Sequence, residues 1–154
     1  MKKLFSVLAV LFVLGTVDLF AIGIGAQGGY NPGNAGGNGA LTLKVDNVPC
    51  IFAITASFGN DISVGVTADW WIKNPKISGP WGYYYGPGLS VSVNTAGGGI
   101  WVGGRGVLGT NVRLLDNFLE LYLQAAWEPG ILIGNRLDFN PWNFPINLGF
   151  RLWF

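Results

Sequence analysis

Ile146-Asn147-Leu148-Gly149-Phe150-Arg151-Leu152-Trp153-Phe154 carries the clearest fold signal in the chain. Ile146, Leu148, Phe150, Leu152 and Phe154 form one apolar series, interleaved with Asn147, Gly149, Arg151 and Trp153. A period of two is how an extended strand separates its faces, whereas a helix repeats every 3.6 residues. The pattern recurs upstream. Ile62, Val64, Val66, Ala68, Trp70 and Ile72 alternate with Ser63, Gly65, Thr67, Asp69 and Trp71. Leu119, Leu121, Leu123, Ala125 and Trp127 alternate with Phe118, Glu120, Tyr122, Gln124 and Ala126. Each stretch runs about 9–11 residues, the length of a tilted strand that crosses a bilayer.

Five further strands are predicted at 22–30, 40–45, 50–58, 80–93 and 99–111. Turn-forming segments separate them: Asn31 to Gly39, Asp46 to Pro49, Gly59-Asn60, Lys73 to Gly79, Asn94 to Gly98 and Leu114 to Asn117. A longer Pro-, Gly- and Asn-rich segment, 128–145, precedes the last strand. The expected fold is therefore all-β: an eight-stranded antiparallel up-and-down transmembrane β-barrel, the smallest even-numbered barrel of its kind. With the N-terminal end of residues 22–154 inside, the long segments 31–39 and 128–145 fall outside and the mostly shorter turns inside. Strand 40–45 is short for a full crossing unless it extends into Asn38 and Gly39.

Composition points the same way. Half of the 154 residues are hydrophobic and only 11% are charged, against roughly 25% in a soluble domain. A water-facing surface built from this chain would expose large apolar patches. A soluble sandwich also alternates, so the contents of the faces decide. The second face holds Lys44, Asp69, Arg105, Glu120 and Arg151 among small polar residues. Turned toward lipid, each Arg or Lys would cost about 2–4 kcal/mol at the midplane; turned inward, these groups can pair. The same face carries Trp71, Tyr84, Trp101, Phe118, Tyr122 and Trp153, with Gly65, Gly103 and Gly149 leaving room for rings. An eight-stranded barrel has an interior that side chains can fill, so a plugged lumen is expected. Trp70, Tyr83, Tyr85, Trp127 and Trp142 are expected in interfacial aromatic girdles.

Residues 1–21 read as a secretory signal peptide: Lys2-Lys3, an apolar run from Leu4 to Leu14, and a cleavage point after Ala21. That run is shorter than the roughly 20 residues a spanning helix needs. Residues 22–154 then form the barrel domain of a protein of the cell outer membrane. Removing Lys2, Lys3 and Asp18 takes nine basic residues to seven and eight acidic residues to seven. A neutral chain lacks the basic stripe that captures nucleic acid. With no histidine and one cysteine, Cys50, zinc and haem sites are poorly supported, and no cofactor is expected.

No catalytic residue is expected either. Asp69 and Glu120 suggest a carboxylate pair for glycoside hydrolysis, but acids on separate strands of a closed barrel serve better as partners of arginines. Gly97-Gly98-Gly99 lacks the Lys-Ser/Thr and helix of a phosphate loop and reads as a turn. Histidine-based nucleophile activation is ruled out by composition. The expected partners are the lipid bilayer and an extracellular or host ligand contacted through 31–39 and 128–145, since loops on rigid scaffolds carry binding. A monomer is expected. The alternative is a narrow pore or small-solute conduit.

Leu148-Gly149-Phe150-Arg151-Leu152-Trp153-Phe154 resembles the terminal signal of outer-membrane barrels, which implies recognition by the barrel-assembly machinery. More widely, the chain resembles the small outer-membrane barrel proteins of spirochaetes. Leu41-Thr42-Leu43-Lys44-Val45-Asp46-Asn47, Gly65-Val66-Thr67-Ala68-Asp69-Trp70-Trp71, and the segment from Gly79-Pro80 to Gly86-Pro87-Gly88 carry that likeness. It implies an eight-stranded outer-membrane barrel and transfers no catalytic residues.

Overall fold

Eight alternating segments close on one another into a barrel. The computed structural model describes residues 21–33, 35–59, 62–95, 98–134 and 136–154, and every regular element among them is a strand. In chain order these are β1 (Ile22–Asn31), β2 (Gly36–Val45), β3 (Cys50–Phe58), β4 (Ile62–Trp70), β5 (Lys76–Ser78), β6 (Trp81–Asn94), β7 (Ile100–Leu114), β8 (Leu119–Trp127), β9 (Gly130–Ile133), β10 (Leu137–Asn140) and β11 (Ile146–Trp153). The expected signal peptide lies outside the described residues save for Ala21, as do Asn34, Asn60, Ala96 and Gly97 of the expected turns and Asn135 of segment 128–145.

The wall runs β1-β2-β3-β4-β6-β7-β8-β11, antiparallel throughout, and β11 returns to β1. Gly23 faces Trp153 across that seam and Tyr30 faces Ile146. The Ile22 N–H donates to Phe154 O and the Phe154 N–H to Ile22 O, both at 3.0 Å. Closure removes the open edges on which sheets aggregate. Strands of nine or ten residues rising about 3.3 Å each, tilted about 40°, give a wall about 23–25 Å tall.

Three sequence expectations change. β2 begins at Gly36, so it runs the full height of the wall and the connection before it shrinks from 31–39 to 32–35. Glycine has no side chain to assign to a face, which is why alternation faded there; the backbone ladder nevertheless continues through Gly28↔Gly39 and Asn31↔Gly36. Segment 128–145 is not structureless: β9 and β10 form a hairpin, and β9 pairs with the upper part of β7 from Ile100 to Gly103. Finally, β5 folds back on β6 within connection 71–80, at the end where the termini of the barrel, Ile22 and Phe154, meet. Connection length thus separates the two ends less cleanly than expected, because only 128–145 is long at the remote end.

The faces separate cleanly. Leu41, Leu89, Leu108 and Leu148 project from mid-strand and are each more than 60% exposed. Trp70, Tyr83 and Tyr85 are exposed toward the end carrying the termini, joined by Trp81, Phe118 and Phe154. Trp127 and Trp142 are exposed toward the other end, joined by Tyr30, Phe58 and Phe139. The six charged residues of the eight wall strands, Lys44, Asp69, Arg105, Arg113, Glu120 and Arg151, all belong to the inward series.

Phe118 is the exception among the expected inward rings. Strand parity points it inward, but the chain has already turned: Leu115, Asp116 and Asn117 all have left-handed φ values of 52°, 55° and 72°. The Phe118 ring comes out on the exterior, edge-on to Phe154 at 5.8 Å.

Candidate functional site

The inward residues divide the lumen into a filled half and an open half. At the end carrying the termini, Glu120 is fully buried and accepts three hydrogen bonds. These come from Asn111 Nδ2 (2.7 Å), Trp153 Nε1 (3.0 Å) and Arg151 NH1 (3.1 Å). The register dictates this cluster, because Glu120 on β8 lies directly opposite Arg151 on β11 and Arg113 on β7. The Arg151 guanidinium also sits 4.0 Å from the Tyr122 ring centre, a distance at which a cation is attracted to the ring face. The Arg113 guanidinium lies over the Trp153 ring, 4.4 Å from its centre.

Beside this cluster the rings stack. Trp71 and Tyr84 lie 3.8 Å apart, 14° from parallel, and Lys44 Nζ stands 5.2 Å from Trp71 and 5.6 Å from Trp153. Tyr84 donates to Gln124 Oε1 at 3.1 Å, and Tyr122 to Gln27 Oε1 at 3.0 Å. Two glycines make the rings fit. A Cβ on Gly109 would come within 2.3 Å of Tyr84 Cζ, and one on Gly149 within 2.5 Å of Tyr122 Cζ. Gly149 and Gly103 therefore accommodate rings as expected, the latter against Trp101. Gly65 does not: it meets Ser92 and the Val91 carbonyl, so it serves close approach of β4 to β6.

Above the rings a second ion cluster lies along the inner wall, bridging β4 and β7 over Gly88 of β6. Arg105 Nε binds Asp69 Oδ1 at 2.8 Å, and Arg105 NH1 binds Glu128. Asp69 and Glu120, the two acids considered for catalysis, are thus held in separate clusters, each by its own arginine. Glu128 was expected in a loop. It lies directly beyond β8, buried against Arg105, because its N–H donates to Asn143 O at 2.8 Å and holds the chain to the barrel there.

From this layer outward the lumen is open. A cavity of about 510 Å³ is lined by Gln27, Thr55, Ser57, Ser63, Thr67, Ser90, Trp101 and Asn147, with Arg105 and Glu128 also on its wall. Trp71, Tyr84, Tyr122, Glu120 and Arg151 do not line it. The expected plug fills only the half toward the termini and leaves a polar cup at the other end. The cup's tall side comes from the β9–β10 hairpin, through Leu132, Asp138 and Asn140. Asn31 ties that side down. Its side chain bonds Asn143 Oδ1 through Nδ2 and accepts from the Phe144 N–H at 3.3 Å.

The sequence marks segments 31–39 and 128–145 as ligand-contacting and places Trp101, Arg105, Ser63, Thr67 and Asn147 on the inward face, but does not show that they meet in one cavity. The missed signal is a gradient along the inward series. On β4 it runs Ser63, Gly65, Thr67, Asp69, and on β6 Tyr84, Gly86, Gly88, Ser90, Ser92, Asn94. In both, bulk lies toward the termini and small polar groups toward the cup. Comparison with family models, curated proteins and solved structures found no match to this chain, so its function is read from its own residues.

Proposed function

We propose that this chain is an integral outer-membrane β-barrel with a structural or surface-exposed role, and that it performs no catalysis. The observation that carries the reading is the outer wall: exposed apolar side chains on every wall strand, with the strands' charges all on the opposite face. Monomeric soluble proteins rarely expose contiguous apolar patches beyond a few hundred Å², whereas a hydrocarbon layer about 25 Å thick favours this band. The two zones of exposed Trp, Tyr and Phe at its margins suit the membrane–water interfaces.

The bilayer is then the main partner. Strand β11, with Phe154 just beyond it, is the element offered to the assembly machinery, in keeping with its likeness to outer-membrane barrels and to the small spirochaetal ones in particular. Nothing in residues 22–154, with seven basic and seven acidic groups, favours nucleic acid. The closed seam leaves no strand edge in the wall for a second copy, which supports a monomer. Electrophoresis without boiling tests the barrel in its membrane state: the folded form resists detergent and migrates differently from the boiled form. Identical migration would sink the reading.

The filled half of the lumen argues against conduction. The open cup favours one competing reading, a narrow conduit whose block moves aside. Planar-bilayer recording separates the two: the plugged barrel gives no discrete openings, and reproducible openings would establish the conduit.

A further inference from the structure

We infer that the cup is a binding site for a small, neutral, polyhydroxylated ligand of the saccharide class. Its interior offers many hydrogen-bonding groups and, among the described residues, no free cation. Among the described residues lining the cavity, only Arg105, Glu128 and Asp138 ionise. Arg105 is held by Asp69 and Glu128, so it has no free charge with which to grip an anion. Asp138 is exposed on the hairpin, where solvent and salt screen it. The polar groups that remain are hydroxyls and amides, which both donate and accept and so match the hydroxyls of a sugar.

Asn147 points most directly to a ligand. It is 3% exposed and lines the cavity, yet its Oδ1 has no hydrogen-bond partner. A buried acceptor left unmade is unfavourable. The oxygen packs over Gly29, where a Cβ would come within 2.3 Å of it, and rotation of the Asn147 side chain away from Gly29 would present it to a hydroxyl in the cup. Ser90, Thr67 and Asn143 are likewise buried along the wall. Trp101 supplies the apolar surface that the C–H face of a sugar ring requires. Its indole donates to Ser90 Oγ at 3.2 Å and packs against Gly103 and Gly130, where a Cβ would come within 2.9 Å and 2.4 Å of ring atoms. The ring is therefore fixed before any ligand arrives, and pre-organisation lowers the entropic cost of binding. At about 510 Å³ the cup lies within the ordinary size range of small-molecule sites.

Delivery of the ligand from the external medium rests on the membrane reading above; the ligand class rests on the cup alone. The full chain folded in detergent is titrated with sucrose, and in parallel with glucosamine and glucuronate as cationic and anionic probes, by calorimetry and ligand-observed NMR. Sucrose is expected to saturate, and to bind more tightly than either charged probe. Asn147→Ala removes the unpaired acceptor, and Ser57→Trp fills the cup from β3 while leaving the plug untouched. Each should lower sucrose affinity about ten-fold or more in protein that still shows the barrel's gel shift. Absence of saturation in folded wild-type protein would overturn the assignment. So would tighter binding of glucosamine or glucuronate, or equal sucrose affinity in wild type and both variants. Saturable sucrose binding by a folded chain that does not enter vesicles would support the cup and refute the membrane reading, so the two fail separately.

Discussion

Replacing Arg151 by Leu removes one half of an ion pair whose side chains are 1% and 0% exposed. Glu120 would keep its bonds from Asn111 at 2.7 Å and Trp153 at 3.0 Å but lose the Arg151 guanidinium at 3.1 Å. Breaking a buried pair on one side typically costs about 3–5 kcal/mol, because the surviving charge is left without compensation. Two remaining donors place the loss near the lower end, about 3 kcal/mol, or on the order of a hundred-fold in the folding equilibrium. Tyr122 would also lose the cation 4.0 Å from its ring. Adding Glu120→Gln removes the stranded charge while its amide oxygen can still accept from Asn111 or Trp153. The double variant should therefore recover about 1–2 kcal/mol relative to Arg151→Leu. Urea unfolding in phospholipid vesicles, followed by tryptophan fluorescence, measures both differences. If Arg151→Leu stays within about 0.5 kcal/mol of wild type, or Glu120→Gln deepens its loss, the lumenal ion network does not support the barrel as described.

Leu41→Arg, at a mid-strand outward position, should cost about 2–4 kcal/mol in vesicles; Ser57→Arg, in the cup, should cost far less by the same unfolding assay. Gly109→Ala places a methyl group 2.3 Å from Tyr84 Cζ and should destabilise by about 1–3 kcal/mol. In a Tyr84→Leu background the same change should cost less, which a double-mutant cycle reads directly. Asn31→Ala releases the tie to Asn143 and Phe144, so limited proteolysis should cut within 136–145 faster than in wild type while the gel shift persists.

The strands were legible wherever large side chains mark the two faces. β3, β4, β8 and β11 fall within two residues of their expected bounds, since Ile, Val, Leu and Trp alternate there with Ser, Thr, Glu or Arg. The ion pairs were legible only as a class: parity placed Glu120 and Arg151 inward, but the register that sets them opposite each other comes from closure of the whole barrel. Glycine hid the first part of β2, because Gly36, Gly37 and Gly39 mark no face. The hairpin β9–β10 was hidden by the Pro, Gly and Asn around it, and with it the tall side of the cup. Phe118 shows the limit of parity, which holds only while the chain remains in a strand.

An accessibility scan along β4 tests the membrane account most directly. Ser63 and Thr67 line the cup, while Val64 and Val66 project outward between them, about half exposed. Single nitroxide labels at these four positions, introduced after Cys50→Ala and studied in vesicles, report collisions with lipid-soluble oxygen and with a water-soluble nickel complex. The account predicts that oxygen dominates at 64 and 66 and nickel at 63 and 67, reversing at each change of face. Strong nickel access at 64 and 66, equal to that at 63 and 67, would contradict a lipid-facing wall.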